Sequence, residues 1–448
     1  MARTTPVSVK NKRRIAIGFT LIAVLMLLLA FRVAWIQVVQ ADELTEKAIE
    51  QQTSDIPIDA KRGEIYDRNG KELATSLTCY SLWVRPAQLA EELDEAGIDK
   101  LVQDLSEITG VKAETVKTRL TREQALVRVA KELEKEAADK VKELGIGALS
   151  LSEETKRYYP SGNFASQLLG SVTDDGTGRT GIELEYDQYL SGVAGRWVKN
   201  TDVSGNELVD GSEEYHEAQN GLNVVLTIDE AIQYYVEKAL EEGMEETGAE
   251  RIMALVMDPE TGEVLASAVT PGFDPNNATK PDDEEELEEF EKLSEKEQTD
   301  YLFKLWRNPI VSDTYEPGST FKLITASSAL EEGVISLEDT FSCNTKINVA
   351  GVTLHCWSTR DHGTQTIKQA VGNSCNPVQI QLALKMGKDT YYDYLEMFGI
   401  TQKTNVDLPA ETSAIIQDKD AIGQVELSTM AYGHGIAVTP IQLAAAVC

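Results

Sequence analysis

The first forty residues combine an apolar segment with a basic tail. No charged residue occurs from Ile15 to Phe31, and after Arg32 the apolar character resumes as far as Val38. About 20 apolar residues cross a bilayer core, so residues 15–38 are predicted to form a transmembrane helix in which Arg32 snorkels or lies near the far interface. Residues 1–14 are basic through Arg3, Lys10, Lys12, Arg13 and Arg14.

Two other interpretations of this segment are a cleaved signal peptide and a buried core helix. The apolar run is longer than the ~7–15 residues of a signal-peptide core, and no A-x-A-like cleavage site closes it. We therefore interpret it as a retained signal-anchor. The positive-inside rule then places residues 1–14 in the cytoplasm and everything after about residue 40 outside the cell membrane.

Residues 40–218 show the mixed pattern of an α+β domain, which we call the pedestal. Asn69-Gly70 between two short β-prone runs predicts a hairpin. From residue 87 to residue 147, Ala, Leu, Glu and Lys dominate and apolar residues recur at spacings of three and four, which predicts helices. Gly-rich turns separate short segments from residue 158 to residue 220. The pedestal contains no obvious nucleophile.

Residues 219–448 are predicted to form a second, α/β domain. A strand is expected at 223–229 and a helix at 230–245, followed by strands at 252–257 and 264–269 that the turn Asp258-Pro-Glu-Thr-Gly262 joins as a hairpin. A strand, a helix and a returning hairpin indicate a sheet covered by helices.

Charge and cysteine content exclude several classes of function. The chain has 42 Lys and Arg against 74 Asp and Glu, a formal net charge of −32, so it should repel nucleic acid. The acidic run at 281–300 is interpreted as a solvated helix or surface insertion rather than a ligand-repelling or metal-binding patch. The cysteines show neither a disulfide framework nor a Cys/His zinc spacing, so we expect no metal and no cofactor. They are Cys79, Cys343, Cys356, Cys375 and Cys448.

The first candidate for chemistry is Ser319-Thr-Phe-Lys322, which follows Glu316-Pro-Gly. Pro-Gly predicts a turn and the apolar spacing after it predicts a buried helix, so Ser319 should lie at a helix N-terminus, where developing negative charge is favoured. Lys322 lies one turn further on the same face. A lysine can take the proton of a serine hydroxyl if burial lowers its pKa. The alternative is an N-cap serine with an unrelated surface lysine.

The second candidate is Ser374-Cys-Asn376, again on a turn before a predicted helix. Ser374 could relay a proton to a leaving amine, and the Asn376 amide could hold a substrate carbonyl. We prefer this S-x-N sequence because an apolar helix follows it and because it lies far enough beyond Ser319 for an intervening helical excursion. The chain has three other S-x-N sequences, Ser161-Gly-Asn163, Ser204-Gly-Asn206 and Ser342-Cys-Asn344. Ser342-Cys-Asn344 is the nearest rival, but no helix is predicted after it.

These two sequences, in this order, resemble the first two of the three active-site motifs of penicillin-binding proteins. Further segments resemble the class B members in the same order along the chain: Arg62-Gly-Glu-Ile-Tyr-Asp-Arg-Asn-Gly70, Gly181-Ile-Glu183, Leu226-Thr-Ile-Asp229, Asp258-Pro-Glu-Thr-Gly-Glu-Val-Leu-Ala266, Tyr315-Glu-Pro-Gly-Ser319 and Gly433-His-Gly-Ile-Ala-Val-Thr-Pro-Ile-Gln442. Within class B, these segments resemble those of Gram-positive monofunctional members, including the division and stage V sporulation protein D types.

The resemblance implies a peptidoglycan D,D-transpeptidase. Ser319 would attack the D-Ala-D-Ala end of a stem peptide and pass the acyl group to a neighbouring amine, with Lys322 as the base and with Ser374 and Asn376 positioning substrate and shuttling a proton. β-Lactams would acylate Ser319, and a polytopic glycosyltransferase of the cell-wall complex would be a partner. Division, elongation and sporulation stay open as the process served.

The family's third motif, Lys-Thr/Ser-Gly, does not occur in the 448 residues. The resemblance assigns to its strand an oxyanion-hole N–H and a cation for the substrate carboxylate. Losing one oxyanion donor costs about 10²–10³ in rate. We therefore expect a C-terminally truncated chain that is inactive as it stands.

Cys356 and Cys375 form a possible redox pair, since Cys375 lies inside the S-x-N sequence of an extracytoplasmic domain. The alternative is that Cys375 is a small packed residue, the usual role of a free cysteine.

Two rival functions stay open: a non-catalytic scaffold of the cell-wall synthesis complex, and a membrane β-lactam sensor or β-lactamase with the same serine fold. The Arg62–Gly70 sequence and the large pedestal argue against both.

Overall fold

The computed structural model describes residues 9–38, 40, 53–200 and 213–448. Residues 1–8 of the predicted basic tail and the rival sequence Ser204-Gly-Asn206 lie outside the described residues. The chain divides into two compact units. One consists of Met1–Ala60 with Val193–Gln219, and the other of Lys61–Gly192 with Asn220–Cys448.

The strands, in chain order, are β1 Thr53–Ile58, β2 Ile65–Tyr66, β3 Glu72–Val84, β4 Val127–Leu133, β5 Leu149–Tyr158, β6 Gly195–Asn200, β7 Glu213–His216, β8 Val224–Val225, β9 Ile252–Met257, β10 Val264–Thr270, β11 Thr340–Cys343, β12 Lys346–Val349, β13 Val352–His355 and β14 Gly363–Thr366.

The α-helices are α1 Val9–Val38, α2 Pro86–Glu92, α3 Glu95–Thr109, α4 Ala113–Leu120, α5 Lys135–Glu143, α6 Ser166–Leu169, α7 Gly181–Glu185, α8 Asp187–Leu190, α9 Glu230–Thr247, α10 Glu284–Phe290, α11 Glu295–Trp306, α12 Pro309–Ser312, α13 Lys322–Glu331, α14 Ile367–Gly372, α15 Asn376–Met386, α16 Lys388–Met397, α17 Gln424–Met430 and α18 Pro440–Val447. Within the described residues, short 3₁₀ turns occur at Pro275–Asn277, Gly318–Phe321 and Lys419–Ala421.

The smaller unit contains α1 and a three-stranded antiparallel sheet in the order β1-β6-β7. Within α1, the window Thr20–Gln37 has a mean hydropathy of 2.0, and none of it is buried inside the protein. It is therefore long and apolar enough to cross a membrane, as the sequence predicts, and it does not pack like the core helix of a soluble domain.

The first part of the larger unit is a sheet built on the long strand β3. β5 and β4 pair antiparallel with β3, and β2 joins it through the predicted hairpin. Gly70 in that turn has φ +83°, a left-handed conformation that glycine adopts without strain. The hairpin at Asn69-Gly70 is confirmed.

The segment 87–147 is only partly helical. Helices α2 to α5 form, but Val127–Leu133 is strand β4 against β3. Val127, Val129 and Leu133 are buried while Arg128 is exposed, which is the alternation of a half-buried strand. The helical prediction was wrong here because pairing with β3 and burial of one face outweigh local helix propensity.

A buried ionic cluster holds the start of this sheet to the chain around α7. Arg62 Nε donates to Glu183 Oε2 at 2.6 Å, and Arg157 Nε donates to Glu183 Oε1 at 2.6 Å. The Tyr159 hydroxyl donates to the same Oε1 at 3.1 Å. Because Glu183 is fully buried, its charge needs these partners. Two of the family-like segments, those of Arg62 and Glu183, thus meet in a structural cluster.

The second part begins with a shorter strand than the sequence suggests. Of residues 223–229, only Val224–Val225 forms a strand, and it pairs in parallel with β2. Beyond it the backbone changes partner: Leu226 N donates to Tyr66 O at 2.9 Å, and Asp229 N donates to Leu265 O at 2.9 Å. The segment is short as a strand because it passes from the sheet of the pedestal to the edge of β10.

The predicted hairpin of the second part is confirmed as the antiparallel pair β9 and β10. Helix α9 packs on it, as expected for a sheet covered by helices, and the side chain of Gln233 joins the two. Gln233 Nε2 donates to Ser267 O at 3.0 Å and Ser267 N donates to Gln233 Oε1 at 2.7 Å. Both hydrogen-bonding ends of this buried amide are therefore satisfied.

A helical layer with its own apolar core carries the candidate site. Its core draws on α13 to α18, with Phe321, Leu382 and Ile436 among the buried side chains. Two small antiparallel pairs, β11–β14 and β12–β13, lie beside α15. The acidic run forms α10 and α11, whose acidic side chains are largely exposed. This agrees with the prediction of a solvated surface insertion.

Candidate active site

Ser319 lies in the 3₁₀ turn Gly318–Phe321, which leads directly into α13. The predicted turn and helix are therefore both present. Phe321 and Ile324 are buried and fix the start of the helix, while Ser319 is exposed. The fold thus presents the hydroxyl to solvent from a rigid base.

The turn before Ser319 is braced by residues 433–438. Gly318 N donates to Gly433 O at 3.0 Å, and Tyr315 and Val438 exchange two backbone hydrogen bonds of 3.0 Å. A Cβ on Gly433 would lie 2.2 Å from Gly318 O, and Gly433 has φ +80°. Only glycine fits this close approach.

Lys322 is 2% exposed and lies among four oxygen atoms. Its Nζ is 3.1 Å from Ser319 Oγ, 2.9 Å from Ser374 Oγ, 2.8 Å from Ser374 O and 2.6 Å from Asn376 Oδ1. Burial lowers the pKa of Lys322 below its ordinary value because it disfavours the charged ammonium, while charge on Cys356 or Cys375 acts in the opposite direction.

The backbone carbonyl oxygen of Ser374 and the side-chain Oδ1 of Asn376 can only accept hydrogen bonds. A neutral Lys322 has two N–H groups, enough for these two acceptors, and its lone pair then faces the hydroxyls of Ser319 and Ser374. The Ser374 hydroxyl also lies within reach of Ser319, donating to its Oγ at 2.9 Å. A neutral amine in this position can take the proton of a serine hydroxyl.

Ser374 and Asn376 occupy the turn between α14 and α15. Ser374 has φ +50°, a conformation that non-glycine residues rarely adopt. Asn376 begins α15, and its Nδ2 donates to His355 O at 3.1 Å, which orients Oδ1 towards Lys322. The structure therefore brings together all four residues singled out by the two motifs.

The nearest rival, Ser342-Cys-Asn344, does not share this position. Ser342 lies on β11 with its hydroxyl near Asn344 Oδ1 at 3.4 Å, and its carbonyl accepts from Gln381 Nε2 at 3.0 Å. The residue beside it, Cys343, nevertheless belongs to a cluster that sequence spacing missed.

Cys356 and Cys375 lie near each other as free cysteines, together with Cys343 and His362. The side-chain sulfur and nitrogen atoms of these four residues all lie within 4.8 Å of one another. The cysteines and the histidine come from separate segments, so the sequence has no short Cys-x-x-Cys spacing that would predict the cluster. The order of the strands β11, β13 and β14 before the turn at Cys375 brings them together.

Comparisons with known proteins match both parts of the chain. The penicillin-binding protein dimerisation domain matches residues 57–226, and the penicillin binding protein transpeptidase domain matches residues 252–448. Stage V sporulation protein D of Bacillus subtilis is 32% identical over 449 residues, which are 99% of this chain and 65% of that protein. Peptidoglycan D,D-transpeptidase FtsI of Escherichia coli is 28% identical over an alignment that covers 94% of this chain and 68% of that protein.

Solved structures give the same likeness. Penicillin binding protein 2X from Streptococcus thermophilus is 26% identical with a TM-score of 0.67, covering 88% of this chain and 59% of that chain. The fold is also that of Helicobacter pylori PBP2, solved in complex with MreC, at a TM-score of 0.69 and 22% identity over 87% of this chain and 75% of that chain. The chain thus spans 65% of the length of the sporulation protein that it matches.

Proposed function

Because this chain belongs to the class B penicillin-binding proteins, we propose that it is a D,D-transpeptidase that cross-links peptidoglycan stem peptides through an acyl-enzyme on Ser319. The observation that carries the proposal is the buried Lys322 Nζ, 3.1 Å from Ser319 Oγ and held by Ser374 and Asn376. An exposed hydroxyl beside a desolvated amine is the pairing that activates a serine nucleophile.

In the first half-reaction, Ser319 Oγ attacks the carbonyl carbon of the penultimate D-alanine while its proton moves to Lys322 Nζ. The tetrahedral intermediate collapses as the C–N bond to the terminal D-alanine breaks. The leaving amine takes a proton from Lys322 through the Ser374 hydroxyl, which lies 2.9 Å from both Nζ and Ser319 Oγ. Lys322 returns to its neutral form and an ester remains on Ser319.

In the second half-reaction, the amine of a neighbouring stem peptide attacks the ester carbonyl. Its proton passes to Lys322, the C–O bond to Ser319 breaks, and Oγ recovers a proton from Lys322. Asn376 holds Lys322 in place through Oδ1, and the second hydrogen of its Nδ2, which His355 O does not use, is assigned to a substrate carbonyl.

The third motif is part of the same proposal. Since Lys-Thr/Ser-Gly does not occur in the 448 residues, we expect the isolated 448-residue chain to be acylated about 10²–10³ times more slowly than a chain that carries an oxyanion donor from that motif. The activity is therefore measured on the 448-residue chain and, in parallel, on the same chain extended at its C-terminus by a segment that carries the motif. Equal rates for the two would contradict this expectation.

The experiment measures cross-linked product and released D-alanine from a pentapeptide donor and an amine acceptor. Ser319→Ala should abolish both products, because no other hydroxyl occupies its place. Ser327→Ala, a matched change at an exposed serine on α13, should leave them unchanged. Products at the wild-type rate from Ser319→Ala would overturn the proposal, and fast hydrolysis of a penicillin adduct would favour a β-lactamase.

We also propose that α1 anchors the protein in the cell membrane, with the pedestal (residues 40–218) and the transpeptidase domain (residues 219–448) outside the cytoplasm. Its apolar window and the basic residues before it support this orientation. In a Cys448→Ser background, which removes the exposed natural thiol, a membrane-impermeant maleimide should label an added surface cysteine at exposed Thr121 in intact cells stripped of any outer barrier, but not one placed at Ser8. The reverse pattern would contradict this topology.

A polytopic glycosyltransferase is the partner we propose, because transpeptidation needs glycan strands that are synthesised at the membrane. β-Lactams are the inhibitors expected from acylation of Ser319. Cross-linking in membranes followed by mass spectrometry should recover a polytopic glycosyltransferase with this protein. Its absence from cross-linked material that contains the protein would count against the partnership.

A further inference from the structure

Three cysteines and one histidine converge directly behind the turn that carries Ser374 and Asn376. Cys343 ends β11 and Cys375 precedes α15, and both are fully buried. Cys356 follows β13 and His362 precedes β14, and both are partly buried. His362 Nδ1 lies 3.7 Å from Cys343 Sγ and 4.0 Å from Cys356 Sγ. Among the residues that the structure describes, this is the group of side chains that could hold a metal ion.

We propose that Cys343, Cys356, His362 and Cys375 bind one zinc ion. Zinc prefers thiolate and imidazole ligands in a tetrahedron, with Zn–S of about 2.3 Å and Zn–N of about 2.0–2.1 Å. Ligand atoms in such a tetrahedron stand about 3.5–3.8 Å apart. The four side-chain atoms, all within 4.8 Å of one another, need shifts of about 1 Å or less to reach these separations.

The chemistry of the four ligands selects zinc over other cations. Mg²⁺ and Ca²⁺ take oxygen ligands, and no carboxylate belongs to this cluster. Three sulfurs and one imidazole in a closed, four-coordinate arrangement are typical of a structural zinc site, which keeps no open position for a substrate.

A disulfide explains the cluster less completely. Any one disulfide uses two of the three sulfurs and leaves the third thiol and the imidazole without a role. A zinc ion uses all four groups. The two interpretations exclude each other in one molecule, since the redox pair Cys356 and Cys375 would take away two of the four zinc ligands.

The location gives the metal a function: positioning of the S-x-N turn. Cys375 lies between Ser374 and Asn376, and Ser374 is held at φ +50°. Such a conformation persists only where the surroundings fix it. The loop of Cys356 is joined to the same turn twice, through the hydrogen bond from Asn376 Nδ2 to His355 O at 3.1 Å and through that from Trp357 Nε1 to Asn373 O at 2.9 Å. Zinc would lock these segments together at the turn whose Ser374 and Asn376 contact Lys322.

The inference rests on geometry and can be tested without any enzymatic activity. The full chain, purified in detergent under reductant, is stripped of metal and titrated with Zn²⁺ and, separately, with Co²⁺. We expect uptake of one metal ion per chain, with the visible bands of tetrahedral Co²⁺ and a thiolate-to-cobalt charge-transfer band whose intensity corresponds to three thiolates.

Variants locate the site. Cys343→Ser and His362→Gln should lose stoichiometric zinc, whereas His362→Cys should keep it because a thiolate replaces the imidazole. Cys448→Ser and His355→Gln, which change exposed residues outside the cluster, are the matched controls and should bind like the parent.

Three results would overturn the inference. One is a fully reduced chain that takes up no zinc. The second is unchanged zinc binding in both Cys343→Ser and His362→Gln. The third is a Cys356–Cys375 disulfide found in protein purified without reductant but with zinc present. If the variants do not fold, the cobalt spectrum of the parent chain still decides, since a spectrum without thiolate charge transfer excludes these ligands.

Discussion

Around Lys322, the decisive feature is which neighbouring atoms can donate a hydrogen bond. Ser374 O and Asn376 Oδ1 can only accept, so they take the two N–H groups of a neutral amine and turn its lone pair towards the hydroxyls. Burial lowers the pKa of Lys322 and so favours that neutral form. In the proposed mechanism, the base is therefore oriented before substrate arrives.

Replacing the proposed base Lys322 by a permanent cation should slow acylation strongly. Lys322→Arg puts a permanent positive charge at this position, because a guanidinium does not lose its proton in proteins and cannot accept one from Ser319. We expect the rate of acylation by a fluorescent penicillin to fall about 10²–10⁴-fold. Lys117→Arg, on an exposed helix surface, is the control and should react at the parent rate.

The same argument fixes the sign of the pH dependence. Below the lowered pKa of Lys322 the ammonium form dominates and cannot act as a base, so the acylation rate should rise with pH and level off above that pKa. The midpoint should lie below the ordinary lysine value. A rate that is independent of pH, or one that falls as pH rises through this range, would contradict the assignment of Lys322.

Gly433 is a second residue on which the site depends, although it contributes no side chain. In Gly433→Ala the new Cβ would meet Gly318 O at 2.2 Å, so the turn before Ser319 must move. A displacement of about 1 Å can cost about 10² in rate, and we expect a loss of that order in penicillin acylation. Gly399→Ala also has a positive φ, +73°, but open space around its Cβ, so it controls for backbone strain alone. Equal rates for the two variants would remove the proposed role of the close contact.

The residues of the two motifs were predictable because Ser319 and Lys322 are one helical turn apart and because a turn and an apolar helix mark Ser374 and Asn376. The sequence alone does not reveal the contact between Gly433 and Gly318, since it joins segments far apart in the chain. It also does not reveal the convergence of Cys343 and His362 with Cys356 and Cys375, and we expected no metal for that reason.

At the scale of elements, hydrophobic patterning located the β9–β10 hairpin, helix α9 and the turn at Gly70. It failed at β4, where Lys131, Glu132 and Leu133 suit a helix but the strand is stabilised by pairing with β3. It also overestimated the strand after Asn223, because a segment that crosses between two sheets keeps the apolar composition of a strand while pairing only at Val224–Val225.

The ionic cluster of Arg62, Arg157 and Glu183 should contribute strongly to the stability of the fold. Glu183→Ala leaves two buried guanidinium groups without their shared carboxylate, and we expect the free energy of unfolding to fall by about 3–5 kcal/mol. Thermal and denaturant unfolding of the detergent-solubilised chain measures this loss. Asp99→Ala breaks an exposed ion pair with Lys117 and should leave the stability unchanged within error. A similar small effect of both changes would show that the cluster is not structural.

At the scale of the whole molecule, the sequence predicted the order of parts: an apolar helix at the N-terminus, a mixed pedestal and a domain in which helices cover a sheet. The pattern sufficed because α1 is marked by composition and because the family-like segments occur in order along the chain. Residues 61–192 of the pedestal share one compact unit with the site-bearing part, and patterning cannot predict this since it depends on contacts such as that of β8 with β2.

The most direct test of the central claim is to locate the bond that a penicillin forms. The protein is treated with a fluorescent penicillin, digested and analysed by mass spectrometry. We predict one adduct, on the peptide that contains Ser319, and its loss in Ser319→Ala but not in Ser327→Ala. An adduct on another residue, or one that survives in Ser319→Ala, would contradict the assignment of Ser319 as the nucleophile.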